Sequence, residues 1–151
     1  MAFTDPRSRF AQTITVTQAD IDELGHVNNI VYLRYVEELT RAHAIRVAMP
    51  LEAMRAHGAV PVARKHVIQY HRGASLGDRL ELSTQITVAN GPRAGRHNEV
   101  RLALNGTLLV EIDTDWVWVD PVRLRPRAAP RTILDAFGVT DDRDQARAPE
   151  K

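Results

Sequence analysis

No cysteine occurs in the 151 residues, so disulfides, thiolate nucleophiles, iron–sulfur clusters and cysteine-based zinc sites are excluded. An excess of one charge is equally lacking: 20 Lys and Arg stand against 19 Asp and Glu, a formal net charge of +1. That balance argues against broad nucleic-acid binding and against a polybasic membrane anchor. Long apolar runs are absent too. Met1 to Gln12 holds none of the length a secretory signal uses, and no stretch approaches membrane-spanning length. The expectation is a cytoplasmic protein with neither nucleic acid nor membrane as partner. There is no internal repeat. What remains, 44% hydrophobic and 26% charged residues, is ordinary globular composition, on a chain of a length that suits one domain with a real core.

Periodicity divides the chain. From Phe10 the pattern alternates, with Phe10, Gln12, Ile14 and Val16 on one face, as in a β-strand. A polar turn follows, Gln18 to Asn29, and then the period changes. Tyr32, Tyr35, Val36, Leu39 and Ala42 fall on one helical stripe, with Arg34, Glu37, Glu38 and Arg41 around the remainder. Asn28 or Asn29 caps the start and Pro50 stops the helix near Met49. That predicts roughly 30 Å of helix. A short helix over Leu51 to His57 closes on Gly58. Alternating segments follow from Val60, from Arg79 and from Asn98, separated by loops that include Asn90-Gly91-Pro92 and Gly95. Asn105-Gly106 is a hairpin signal, and the last strand runs from Thr107 to Val119. Trp116 and Trp118, on its inner face, are expected beneath the long helix. A helical candidate, Ile133 to Phe137, ends at Gly138. Residues 1–139 are expected to form a single domain, and 140–151 a charged, disordered tail. One long helix can bury its stripe only against the sheet that follows it, so the fold class is α+β.

Residues 20–37 carry the chemistry. Asp20 and Asp22 precede a glycine turn, Gly25, that runs directly into the long helix. A carboxylate is thereby set beside backbone N–H groups that a helix start leaves unpaired. Such donors, aided by the helix dipole, can hold a developing oxyanion. A carboxylate next to them suits attack on a carbonyl, directly or through an activated water.

The run Asp20-x-Asp22-x-x-Gly25-His26-Val27-Asn28-Asn29-x-x-Tyr32-x-x-Tyr35-x-Glu37 resembles the signature of the 4-hydroxybenzoyl-CoA thioesterase-like acyl-CoA thioesterases. Val67 to Tyr70 and Gly77 to Leu80 are similar to that family's second landmark. The resemblance implies a hotdog fold: a five-stranded antiparallel sheet around one central helix. It also implies hydrolysis of an acyl-CoA to a free acid and coenzyme A, with no cofactor. Carried over residue by residue, it makes Asp22 the nucleophile or general base, and the backbone N–H of Asn29 the group that polarises the thioester carbonyl. The family's active sites cross a subunit interface, which implies a homodimer or homotetramer. One departure is Gly73, where relatives usually carry proline after the Tyr-x-Arg of the second landmark.

Each residue also has a plainer reading. Asp20 suits a hydrogen bond shaping the turn. His26 either orients Asp22, a water or the thioester, or is a turn histidine bonded to backbone. Gly25 and Asn28, expected among the substrate-binding residues with Tyr32 and Tyr35, have the plainer roles of close approach or positive φ and of a cap. Tyr32 and Tyr35 pack in the core or line the acyl pocket. Glu37 pairs with Arg41 one helical turn on, or acts as a reserve base. Arg64, Arg72, Arg93 and Arg96 are the candidates for the phosphates of coenzyme A. His66, His71 and His97 have no metal-ligand spacing, so no metal is expected. Two other functions remain open. One is an acyl carrier protein thioesterase, which the lack of a basic docking face disfavours. The other is a non-catalytic acyl-CoA sensor, for which no DNA-binding helix pair is found. A hydratase built on Asp22 and His26 fits the motif less well.

Overall fold

Residues 3–146 are described by the structure, a computed structural model. Five strands form one antiparallel sheet: β1 Arg9–Thr15, β2 Val60–Tyr70, β3 Arg79–Asn90, β4 Arg93–Leu102 and β5 Leu108–Val119, in the order β1-β3-β4-β5-β2. The sheet wraps one long helix, α1 Val31–Arg46. This is the hotdog arrangement. Short helices α2 Leu51–Ala56 and α3 Arg131–Ala136 close one end, and Gly58 follows α2 in left-handed backbone at φ +90. Among the described residues no helix is long and apolar enough to cross a membrane.

The helical stripe is buried as its spacing predicts: Tyr32, Tyr35, Val36 and Leu39 lie against Leu80, Leu82, Val100, Val110 and Ile112. At the far end of α1, Ala44 joins Met49, Met54, Trp118, Ile133 and Phe137 in a second cluster. Trp118 is therefore shared between α1 and the short helices, while Trp116 is only half-buried.

Four expectations are corrected. The long helix starts at Val31 rather than Asn29, because Asn28 Oδ1 accepts the Ile30 N–H at 3.2 Å and Asn28 O accepts Val31 N–H at 2.9 Å, one turn before regular helix begins. It ends at Arg46, ahead of Pro50. Ala48 adopts φ +59, and Met49 N–H reaches back to Ala44 O at 2.8 Å, a Schellman closure made without glycine. β4 begins at Arg93, so Arg93 and Arg96 lie on a strand; Gly91 and Pro92 alone form the turn, with Asn90 facing Arg93. The disordered tail is overturned for Asp142–Ala146, which form a helix, α4. Buried Asp141 explains it: one carboxylate oxygen caps Arg143 N–H at 2.9 Å and the other accepts Gly91 N–H at 3.1 Å. Residues 147–151 lie outside the described residues.

A polar layer crosses the core beneath α1. His43, 1% exposed, stacks on Phe10, meets the edge of Phe137, and joins Arg7 O through Nε2 at 2.7 Å and Arg96 Nη1 through Nδ1 at 2.9 Å. Burial, and then the Arg96 charge, push its pKa down to about 4. The imidazole is thus neutral in the folded chain and protonated in the unfolded chain between that value and its ordinary 6.5. Over that window the unfolded state binds the extra proton, so stability is lost as pH falls. Urea unfolding of wild type and His43→Gln at pH 7 and pH 4 is expected to show wild type losing about 3 kcal/mol more than the variant on acidification. Parallel losses in the two proteins would remove His43 as the cause.

Candidate functional site

The loop between β1 and α1 is fixed from within. Asp20 is buried and receives Thr17 N–H and Thr17 Oγ1, each at 3.1 Å, together with the Arg34 guanidinium. Burial would raise the Asp20 carboxyl's pKa, but the Thr17 amide, the nearby Tyr35 hydroxyl and Arg34 outweigh it and hold it low. Asp20 O also accepts Asn28 N–H at 2.9 Å. Asp20 is therefore a structural anion that shapes the turn. Arg34 makes the α1 ion pair as well, reaching Glu38 at 3.8 Å; no Glu37–Arg41 pair forms among the described residues.

Asp22 is presented differently. It is half-buried, and its Oδ1 accepts Leu24 N–H at 2.9 Å, which leaves its Oδ2 without a donor among the described residues. Its backbone pairs with the returning chain, Asp22 N–H to His26 O at 2.9 Å and Gly25 N–H to Asp22 O at 3.1 Å. Gly25 sits at φ +81 with open space where a Cβ would stand, so its role is the left-handed turn, not close approach.

Asp22, His26, Asn29 and Tyr32 line one pocket of about 330 Å³, closed on its other side by Tyr70, His71, Arg72 and Gly73. Gly25, Asn28 and Tyr35 are not part of that lining. Asn28 Oδ1 holds Ile30 N–H in the turn that precedes α1, and Tyr35 is buried beside Asp20 with Arg34 over its ring at 5.7 Å. Burial and the Asp20 charge push the Tyr35 hydroxyl's pKa up. Tyr32 is buried, and its Oη accepts Ala74 N–H at 3.0 Å. The Asn29 N–H donates to no acceptor among the described residues, whereas Asn29 O accepts the Tyr70 hydroxyl at 2.9 Å. His26 lies over Gly73, with Cδ2 3.3 Å from where a Cβ at that position would sit. The glycine thus makes room for the imidazole beside Asp22.

Tyr70 and His71 are pocket residues that sequence reasoning left out as site candidates, and Arg72 was singled out only as a phosphate candidate. Their signal was their place in the second landmark, at the end of β2. Arg72 is also the one phosphate candidate that lines this pocket: Arg64 and Arg93 are exposed elsewhere, and Arg96 points under α1. Glu37 lies instead on a separate cavity farther along α1.

On the outer face of the sheet, strand pairing gathers His97, Glu99 and Glu111 within 4.8 Å of one another. Each is already engaged: His97 with Asp113 at 2.7 Å, Glu99 with Arg101 at 2.8 Å, and Glu111 with His71 at 2.8 Å. Burial lowers the His97 pKa, but Asp113 and Glu99 more than reverse it. The cluster is a cross-strand ion-pair network.

With this geometry in place, comparison with known proteins is informative. The family model described as "Thioesterase-like superfamily" matches residues 16–137. The acyl-CoA thioester hydrolase YbgC of Escherichia coli O6:H1 is 32% identical over 132 residues, covering 85% of this chain and 95% of that one. Among solved structures, the 1,4-dihydroxy-2-naphthoyl-CoA thioesterase Slr0204 from Synechocystis superposes with a TM-score of 0.79 at 22% identity, covering 85% of this chain and 95% of that one. The probable thioesterase YbaW from Escherichia coli gives 0.72 at 23%, covering 85% and 96%. These two establish likeness of fold. The family model and the relative establish membership: this chain belongs to the thioesterase-like superfamily, whose hotdog fold and hydrolase character it shares.

Proposed function

We propose that the protein hydrolyses an acyl-CoA thioester, with Asp22 as the attacking or water-activating carboxylate and Asn29 N–H as the donor to the thioester oxygen. The observation that carries this is the meeting of an under-coordinated carboxylate and an unpaired N–H at a helix start in one pocket. The donor lies where the α1 dipole is positive, so charge developing on the carbonyl oxygen is stabilised without reorganisation. Asp22 Oδ1 is held by Leu24, so the carboxylate keeps its orientation through the reaction and its other oxygen is available for attack or proton removal. In either role the same atom works from the same position. The acyl chain and the CoA arm enter past Tyr70 and Arg72, both exposed at the pocket.

A second copy of the chain belongs beside this pocket. β2 is an edge strand of 11 residues with Val62, Val67 and Tyr70 exposed, a combination prone to further pairing. Pairing of β2 with β2 would set the partner against Tyr70, at the mouth of the site, and size-exclusion chromatography with light scattering is expected to return a dimer or a tetramer. A monomer at assay concentration would exclude a shared site.

Free-thiol release from a panel of short, medium, long and aromatic acyl-CoAs names the substrate class. Asp22→Asn keeps the oxygen that accepts Leu24 N–H but removes the charge, and is expected to lower kcat by about a hundredfold or more, roughly 3 kcal/mol in the barrier. Unchanged rates would remove Asp22 as the catalytic carboxylate. Tyr70→Phe deletes the hydrogen bond to Asn29 O without touching the core, so a loss of up to about tenfold in kcat at unchanged thermal stability is expected. An unaltered kcat would mean that the Asn29 peptide is held without it. If no thioester is cleaved while acyl-CoA still binds, the protein is a binding module and the catalytic reading fails.

A further inference from the structure

A cavity of about 530 Å³, in the range of small-molecule sites, opens where the far half of α1 faces the ends of β3, β4 and β5. It shares no lining residue with the Asp22 pocket. Its walls are mostly apolar, with Ile86, Trp116, Trp118, Leu134 and Phe137 among them, yet Arg96 stands in the same wall. Arg96 points inward from β4. Its Nη1 donates to His43 Nδ1 at 2.9 Å and to Thr84 Oγ1 at 3.2 Å, and its guanidinium lies 5.6 Å from the Phe137 ring centre. Both acceptors are neutral. Among the described residues no carboxylate oxygen lies within 4.0 Å of it. A half-buried guanidinium without a counter-charge is a costly arrangement, because the Coulombic gain that normally offsets desolvation is missing. Burial lowers the Arg96 pKa to about 10, which leaves the group a cation at neutral pH.

A second donor points the same way. Trp116 is a diagonal neighbour of Arg96 on the inner face, since Arg96 pairs with Thr114 across β4 and β5. Its indole Nε1 is buried and has no acceptor. Around the cavity, then, Arg41 and Arg96 outnumber Glu37, and two donors lack what an oxyanion would supply. The long apolar wall excludes a small inorganic ion as the natural occupant, and the guanidinium disfavours a purely hydrocarbon one.

We propose that this cavity binds an aliphatic carboxylate, with its head group on the Arg96 guanidinium and its chain along Trp116, Trp118 and Leu134. The site is separate from the hydrolytic pocket and does not require that reading to hold. Its chemistry has two sources: a free carboxylic acid, or a second carboxylate at the far end of a substrate's acyl chain.

The chain's only two tryptophans, Trp116 and Trp118, both line this cavity, so intrinsic fluorescence reports on it directly. Wild-type protein is titrated with ω-bromodecanoate and with ω-bromodecanol, whose bromine quenches indole emission on contact. Saturable quenching by the acid, with the alcohol bound roughly tenfold more weakly or worse, is the expected result. Equal binding of the two, or quenching by neither, overturns the carboxylate site. Arg96→Met is expected to erase the preference for acid over alcohol, and Arg96→Lys to keep part of it. The comparison on the unaltered protein stands even if the variants fail to fold. Thiol release from decanoyl-CoA and from its ω-carboxy counterpart then separates the sources. A preference for the ω-carboxy thioester that Arg96→Lys weakens assigns the carboxylate to the acyl chain. No such preference, alongside saturable bromodecanoate binding, assigns it to a free acid. A chain that cleaves no thioester at all still answers through its fluorescence.

Discussion

The start of the central helix is bound to the end of β2 and the segment that follows it, and the candidate pocket exists because of that tie. Three hydrogen bonds make it: Val27 N–H to Ala74 O at 2.9 Å, Ala74 N–H to Tyr32 Oη at 3.0 Å, and the Tyr70 hydroxyl to Asn29 O at 2.9 Å. The partners are more than 40 residues apart in sequence, with |i−j| of 42 and 41 for the two tyrosine bonds. Without the tie, Asp22 and His26 would sit on an exposed turn facing water. With it, the same turn becomes one wall of a cavity whose opposite wall is Tyr70 to Gly73. The Tyr32 bond is buried, so loss of one partner would leave an unpaired polar group in the core, a penalty that keeps the two segments together.

This tie also divides the two aspartates. Asp20, on the inner side of the loop, is consumed by Thr17 and Arg34 and holds the turn. Asp22, two residues on, spends one oxygen on Leu24 and keeps the other. Their identity is the same and their spacing is two, but only Asp22 keeps a carboxylate oxygen without a donor among the described residues. The buried aspartate also supports the loop that carries Asp22, since Asp20 O accepts Asn28 N–H and so aims the first residues of the helix.

The sheet and the central helix were legible because their periods are strong. Leu80, Leu82, Thr84 and Ile86 alternate into the core as read, until the register shift between Ile86 and Val88 turns Val88 outward and Ala89 inward. The start of β4 was not legible, because Ala94 and Gly95 carry no apolar alternation and Pro92 reads as the centre of a longer loop. α4 was missed because composition reports only that 140–151 is polar; it says nothing of Asp141 finding Gly91 across the β3–β4 turn. In the site, Asp22, His26, Asn29 and Tyr32 could be picked out because a contiguous motif carries them. Tyr70 and Arg72 join them through tertiary contact, which spacing along a single chain does not encode. The same holds for His71 and His97, scattered in sequence and linked through Glu111 in space.

The pair most hidden from sequence, His43 and Arg96, is governed by proton placement. Arg7 offers only a carbonyl to His43 Nε2, so that nitrogen carries the hydrogen, and Nδ1 is left as the lone pair that Arg96 Nη1 needs. Protonating the ring would remove that acceptor and set two cations 2.9 Å apart in the core. The neutral tautomer is therefore required by the packing, and it ties the N-terminal turn at Arg7, the middle of α1 and β4 into one polar chain. Such a chain satisfies hydrogen bonds but supplies no negative charge. The fold has fixed the Arg96 guanidinium in position through neutral partners and left its charge uncompensated at the wall of an apolar cavity. A carboxylate arriving there meets a cation already oriented and already half-buried, so much of the ordering cost of binding has been met during folding.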